Sequence, residues 1–348
     1  MGTTWPRPCR GLANACTSAR AWSTLYNSSA QIETSKGDRA VIYTLTLNPA
    51  LDRALWVKQV CLDTANRVVN EERYAAGKGI DVSKVLTSLG TPNTAMGFVG
   101  GFAGEELEGQ LLNAGVSCSF VRISGETRTN IIVNEQDDHR QVIFNAKGPK
   151  VHPYELMQLI RRIENLKDME FLVISGSLPA GIHPVVYRQV VTLAKSKGAM
   201  VLLDADGEAL KAGVGGLPDA IKPNEHELAG LVGKALTSLD ETLQAAMCVL
   251  ERGIPWVLIS LGSKGALLVK NDLRLLAVPP KVQAKNTVGA GDSFVAGFLH
   301  GFRQKKDPTW ALKCAVAAGT ATTLMPGTAI CTQEAFLEIL SKVEIKPL

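Results

Sequence analysis

The chain has 348 residues, 46% of them hydrophobic and 20% charged, an ordinary globular composition with material for one large α/β domain or two smaller ones. No apolar run approaches the ~18 residues of a membrane span, so no membrane partner is expected. The net charge of +4 sits mostly in the first 40 residues, where Arg7, Arg10, Arg20, Lys36 and Arg39 outnumber Glu33 and Asp38. The remaining body is close to neutral, which argues against a nucleic-acid partner.

Residues 1–39 are rich in Ser, Thr, Ala and Arg and lack apolar periodicity. They read as a disordered leader or as a transit-like segment, with the folded body spanning 40–348. In that body strand and helix patterns alternate. Ala40–Leu47 is a strand that stops at Asn48-Pro49. A helix over Gly79–Leu89 closes at Gly90. Thr94–Val99 is a short buried strand, and Glu105–Asn113 a helix closed by Gly115. Phe171–Ile174, Met200–Leu203 and Trp256–Leu261 are apolar runs of parallel-sheet type. Pro184–Ser196, Glu241–Arg252 and Trp310–Leu324 are helices. The repeated units predict an α/β fold, a doubly wound, mainly parallel sheet flanked by helices, with ligands at the carboxyl ends of its strands.

Two stretches break the alternation. Arg67–Tyr74 reads as a strand, and Ser119–Phe144 contains a hairpin of Thr129–Val133 and Arg140–Phe144 with the polar tip Asn134–His139. Together they suggest a small inserted β-lid, with strands around 53–75 and 118–146. The seven cysteines are scattered and include no C-x-x-C pair. That usage fits reduced thiols in a cytoplasmic protein, or an organellar one should residues 1–39 be a transit peptide.

The richest string is Asn286-Thr-Val-Gly-Ala-Gly-Asp-Ser293, followed by the helical pattern Phe294–Phe302. Gly289 and Gly291 permit a tight turn and close approach to a ligand. The helix behind them directs free N–H groups and its positive end at the turn, which makes an anion site. Asp292 at its mouth has the wrong charge for binding an anion, and a general base is the simplest reason for it. The stretch around Gly77-Lys78 is no Walker A loop, since Glu72 stands where that loop needs glycine. No G-x-G-x-x-G follows the early strands, which weakens a nucleotide-redox reading. Gly-Asp-Ser also occurs in GDS-type hydrolases, but no histidine here has Asp three residues before it.

Several separated strings resemble the ribokinase/PfkB carbohydrate kinases, and within them the phosphofructokinase and tagatose-6-phosphate kinase branch. They are Thr44–Asp52, Ala76-Gly-Lys-Gly-Ile-Asp81, Thr127-Arg-Thr-Asn130, Ser175-Gly-Ser-Leu-Pro179, Lys222-Pro-Asn-Glu225, Ser260-Leu-Gly262 and Asn286–Ser293. The resemblance spans about residues 40–348 and implies a ribokinase-like fold. It implies Asp292 as the base on the acceptor hydroxyl, with N–H groups of Ala290, Gly291 and Asp292, behind Gly289, as the anion hole. Asp52, Gly77, Lys78, Gly79 and Asp81 would hold the sugar, and Arg128 with Ser177 its phosphate, Arg67 being a weaker candidate. Position 81 departs from the usual pattern, in which Asn stands where this chain has Asp.

On the nucleotide side the resemblance implies Lys222, Asn224 and Glu227, the last ordering Mg²⁺ through water, together with Ser260, Gly262, Gly265 and Thr287 around ATP. Asn286, Val288 and Thr322–Gly327 correspond to a monovalent-cation (K⁺) site. The implied activity is ATP- and Mg²⁺-dependent phosphorylation of a phosphohexose, fructose 1-phosphate before fructose 6-phosphate or tagatose 6-phosphate, by a homodimer formed through the lid. A GDS-type hydrolase and a catalytically silent sugar-phosphate sensor are the rival expectations.

Overall fold

The computed structural model describes residues 41–137, 140–326 and 329–348. The expected leader lies outside them, as do His139 of the hairpin tip and Gly327 of the expected cation segment. The chain opens with β1 (Val41–Thr46), β2 (Ala50–Val57), β3 (Val68–Ala76), α1 (Lys78–Ser88), β4 (Asn93–Val99), α2 (Gly101–Asn113) and β5 (Ser117–Arg122). It continues through β6 (Arg128–Glu135), β7 (Gln141–Phe144), α3 (Pro153–Asn165), β8 (Met169–Ser175), α4 (Val185–Ser196), β9 (Met200–Asp204) and α5 (Gly207–Val214). Next come β10 (Ala220–Ile221), α6 (Glu225–Val232), α7 (Leu239–Glu251), β11 (Trp256–Ser260), β12 (Ala266–Lys270) and β13 (Leu273–Val278). Helices α8 (Ala290–Lys305), α9 (Pro308–Thr323) and α10 (Gln333–Leu340) precede a last strand, β14 (Glu344–Pro347).

Ten strands form one sheet in the order β14-β13-β12-β11-β10-β9-β8-β1-β4-β5. From β11 through β5 all neighbours are parallel, and β12 to β14 are added antiparallel. Alternate residues of the central strands feed two apolar layers. Val201 and Leu203 pack with Leu159 of α3 and Val190 of α4 on one face. Leu202 packs with Phe298 of α8 and Leu312 of α9 on the other. This explains the uninterrupted apolar runs, since a strand buried on both faces has no polar side to show. Helices α8 and α9 lie very close, because Gly297 has no side chain; a Cβ there would come within 2.5 Å of the Cys314 carbonyl oxygen.

The chain leaves β1 for β4 and β5 on one side and returns to β8 on the other. The crevice between the carboxyl ends of β1 and β8 is therefore a topological switch point, where such sheets bind ligands. Over it stands a second sheet, β3-β2-β6-β7. Here β2 pairs antiparallel with β3 and parallel with β6, and β6 pairs antiparallel with β7. Three readings need correction. Ser117–Arg122 is the edge strand of the large sheet, pairing with β4, and not a lid strand. The lid begins at Ala50 and not near residue 53, so Asp52 lies inside lid strand β2, opposite Tyr74 and Asn130. Arg67 precedes β3 and is exposed. For Ser117–Arg122 a short apolar run shows that a strand exists without showing which sheet receives it.

Candidate active site

The glycine loop is the N-terminus of α8. Gly289 caps the helix with φ 74°, a left-handed conformation that a side chain would strain. The Ala290 N–H is engaged by the Thr287 carbonyl at 3.3 Å, and the Ser293 N–H by the Gly289 carbonyl at 2.9 Å. Among the described residues the Gly291 and Asp292 N–H groups have no carbonyl partner. Two donors, rather than the three expected, thus point out of the helix end. The loop is fastened to the end of α9, since the Lys285 and Asn286 N–H groups both reach the Thr323 carbonyl. The Val288 N–H donates to Asn286 Oδ1 at 3.0 Å.

Asp292 is buried, and around it stands a cluster of charges from four other elements or their ends. Lys78 Nζ at the start of α1 is 3.4 Å from Asp204 Oδ1 at the end of β9, and 4.0 Å from Glu227 Oε1 on α6. Lys222 Nζ, just past β10, is 3.4 Å from the same Asp204 oxygen. A Cβ built on Gly291 would lie 3.7 Å from Lys222 Nζ, so this ammonium borders the helix end. Burial, followed by the charges of Asp81 and Asp204, pushes the Asp292 carboxyl well above the usual aspartate range, against the pull of Lys78 and Lys222. Burial alone would lower Lys78; Asp204, Glu227 and Asp292 outweigh it, and the ammonium is held above its ordinary value. The arrangement sets a carboxyl of raised proton affinity beside two cations and two N–H groups that have no carbonyl partner among the described residues.

Under the lid, Asn130 Nδ2 donates to Asp52 Oδ1 at 2.7 Å, while Asn130 Oδ1 accepts from the Ala146 N–H at 3.0 Å. Burial raises the Asp52 carboxyl, partly offset by Asn130. Arg128 Nη1 donates to the Ala146 carbonyl at 2.9 Å, and its buried Nε has no partner among the described residues. A cavity of about 700 Å³ at this hinge is lined by Thr127, Arg128, Ala146, Lys147, Gly148 and neighbours, without reaching Asp292. Asn48 Nδ2 bridges the switch point, donating to Ser177 Oγ and the Lys147 carbonyl, each at 3.2 Å. Of the five buried side-chain polar atoms without a partner among the described residues, Thr46 Oγ1, Asn48 Oδ1, Ser175 Oγ and Arg128 Nε lie at this crevice or hinge. Such atoms are where water, an ion or a bound molecule completes the hydrogen bonds. Gly77 (φ 131°) and Gly79 bring α1 against β1, where a Cβ on Gly79 would be 2.4 Å from Thr46 Oγ1.

On the other side, Asn224 and Glu227 form a capping box, with the Glu227 N–H on Asn224 Oδ1 and the Asn224 N–H on Glu227 Oε2. The cap fixes Glu227 and leaves Oε1 toward Lys78. Asn224 bridges to Ser260 at the end of β11. Gly262 (φ 60°) and Gly265 (φ 104°) bound a single helical turn, and a Cβ on Gly265 would collide with the Ala277 carbonyl oxygen at 1.9 Å. No three His, Cys, Asp or Glu side chains among the described residues form a ready metal cage. Asp204 and Glu227 could hold a hard cation only with waters or phosphate oxygens completing its shell, which is how Mg²⁺ is usually bound.

Ser293 is fully buried and accepts a hydrogen bond from Thr322 Oγ1 at 2.7 Å, so it presents no nucleophile. Arg67 is exposed, and among the described residues no hydrogen bond or ion pair joins it to the cluster. Three participants went unread in the sequence. Asp204 could have been found, because an acid ending a parallel strand sits where ligands bind. Asn130, inside a quoted string, and Lys84, one turn beyond Asp81, carry no signal of their own.

The model of the pfkB family carbohydrate kinase matches residues 42–335. A 1-phosphofructokinase of Bacillus subtilis is 32% identical over 308 residues, covering 88% of this chain and 100% of the relative. A tagatose-6-phosphate kinase of Staphylococcus epidermidis is 33% identical, covering 88% and 99%. Among solved structures, phosphofructokinase-2 from Escherichia coli in complex with potassium has a TM-score of 0.84 at 33% identity, covering 87% of this chain and 98% of that one. A ribokinase from Arabidopsis thaliana shares the fold, with a TM-score of 0.70 at 21% identity. The chain belongs to the pfkB family of carbohydrate kinases. It is a sugar phosphotransferase on a ribokinase-like fold, drawing its phosphoryl group from ATP.

Proposed function

We propose that the protein transfers the γ-phosphoryl group of Mg-ATP to a hydroxyl of fructose 1-phosphate, giving fructose 1,6-bisphosphate. The observation that carries this reading is the meeting of Asp292 and the free α8 N–H groups with Lys78, Lys222 and Asp204 at the foot of a lidded crevice. Phosphoryl transfer asks little covalent chemistry of a protein and much positioning and charge stabilisation. Asp292 takes the acceptor proton, which its raised basicity favours. The Gly291 and Asp292 N–H groups, presented by Gly289 and Ala290, receive the charge that builds on the transferring group, each such donor being worth ~3 kcal/mol in comparable sites. Lys78 and Lys222 neutralise the same charge.

Asp52, with Asn130, orients sugar hydroxyls, and Gly77, Gly79 and Asp81 let the sugar approach α1. Arg128, whose Nε is unsatisfied, grips the acceptor phosphate with help from Ser177. Asn224, Glu227 and Asp204 would hold Mg²⁺ through its waters, and the ion would supply positive charge against the phosphates of ATP. Ser260, Gly262, Gly265 and Thr287 shape the nucleotide cleft. Asn286, Val288 and the end of α9 would take a monovalent cation, in line with the potassium named for the E. coli structure.

The relative named 1-phosphofructokinase supports the choice of acceptor. The two edge strands of the lid expose Val68, Val69, Val142, Ile143 and Phe144 and suit pairing with a second copy, so the active form is a homodimer through the lid. No helix among the described residues is long and apolar enough to cross a membrane, and the cytoplasm is the proposed location. The test is ADP release with Mg-ATP and a panel of fructose 1-phosphate, fructose 6-phosphate, tagatose 6-phosphate, fructose and ribose. Fructose 1-phosphate should give the highest kcat/KM. Turnover of free sugars as good as that of the phosphorylated ones would sink the role of Arg128.

A further inference from the structure

The kinase reading leaves the charged partner of Asp81 without a role. Asp81, in the first turn of α1, accepts a hydrogen bond from Lys84 Nζ at 2.9 Å. Both side chains are largely covered, 16% and 20% exposed. The same ammonium donates to the Ala75 carbonyl at 3.3 Å, near the end of β3. Ala75 pairs with Leu51 in the lid, next to Asp52. Lys84 therefore ties the helix carrying Asp81 to the strand pair carrying Asp52.

Charge gives this tie a purpose. Asp81 raises the carboxyls of both Asp52 and Asp292, so its field reaches both. Lys84 and Arg128 act on Asp52 in the opposite direction. An uncompensated Asp81 would give an anionic acceptor three neighbouring carboxylates. An amide at this position would impose no such repulsion, whereas an ionised carboxylate accepts hydrogen bonds and donates none.

We propose that Lys84 is a positioning residue for the acceptor, neutralising and orienting Asp81 so that its carboxylate accepts from a sugar hydroxyl without repelling a phosphorylated substrate. The inference rests on the phosphohexose reading above. It makes Lys84 matter only while residue 81 is charged, and a double-mutant cycle measures that dependence. Lys84→Met, Asp81→Asn and the double variant are compared for KM, kcat and the calorimetric Kd of fructose 1-phosphate, with melting temperatures in parallel.

Lys84→Met should raise KM and Kd about tenfold, the size of one lost charge-assisted bond, and change kcat far less. Lys84→Arg should restore most of the loss. In the Asp81→Asn background the same Lys84→Met change should cost under about twofold, because no charge remains to compensate. Equal costs in the two backgrounds would overturn the proposal, as would a lower melting temperature with KM and Kd unchanged. A wild type that binds fructose 1-phosphate without ADP release would refute the kinase reading, and the calorimetric cycle would still decide on Lys84. A wild type that binds no sugar phosphate would overturn both.

Discussion

Gly291→Ala separates the function of the α8 N-terminus from its stability. Gly291 is the second residue of the helix, with no left-handed φ. The nearest atom to an added Cβ is Lys222 Nζ, at 3.7 Å. That is ordinary contact, so the fold should accept the methyl. Alanine is a better helix former than glycine by up to about 1 kcal/mol, which in a body of this size raises the melting temperature by about 2 °C. Function should move the other way. A charge-assisted N–H···O contact needs about 2.7–2.9 Å, and a methyl in contact with Lys222 fills the gap where an oxygen of the transferring group would sit between helix end and ammonium. Losing one donor of this kind is worth ~3 kcal/mol, or roughly 10²-fold in rate. A coupled ADP assay with fructose 1-phosphate should therefore show kcat/KM down about 10²-fold in a protein that melts no lower than wild type. A rate within about threefold of wild type would show that the transferring group does not dock at this helix end. A clear fall in melting temperature would instead refute the steric argument.

Asp292→Asn should keep acceptor binding and lose about 10²- to 10⁴-fold in kcat. Because Asp292 has its carboxyl raised by burial and by Asp81 and Asp204, ionising it opposes folding as pH rises through its folded-state value. The Asn variant should thus melt higher than wild type at pH 8 and lose that advantage in acid below the unfolded aspartate value; equal melting at both ends would contradict the burial argument. The same shift places the acid limb of wild-type kcat/KM above the range of an ordinary aspartate, which a pH–rate profile reads directly. Arg128→Lys, which cannot hold the Ala146 carbonyl and a phosphate together in a planar fork, should raise KM for fructose 1-phosphate about tenfold, and for fructose hardly at all. Gly79→Ala brings a Cβ to 2.4 Å from Thr46 Oγ1 and should cost about 1–3 kcal/mol of stability by urea titration. Adding Thr46→Ala should return most of it.

What was legible in the sequence was what local chemistry forces. Val201, Leu202 and Leu203 must be apolar because one strand feeds both layers, and such a run announces a buried parallel strand wherever it stands. Gly289 and Gly265 are demanded by positive φ, so the turns holding them can be read as turns. The capping box of Asn224 and Glu227 was legible as a helix start, and the structure makes the local and the functional readings compatible, since one carboxylate oxygen caps while the other faces Lys78.

What stayed hidden depends on pairing across the chain. Ser117–Arg122 and Arg128–Glu135 carry similar patterns yet join different sheets, because sheet membership is settled by packing partners and not by period. Asp204 is one acid at one strand end, and its meaning comes from Lys78, 126 residues away. The resemblance to the kinases supplied that long-range information indirectly, by ordering strings that only the fold brings together. It was weakest where this chain departs from the pattern. At residue 81 the family string suggested a hydroxyl-binding amide, and only the folded structure reveals the lysine one turn on that accompanies the acid. A substitution of charge inside a binding site is thus better read with the neighbour that balances it, because the pair, and not the single residue, sets the field an anionic substrate meets.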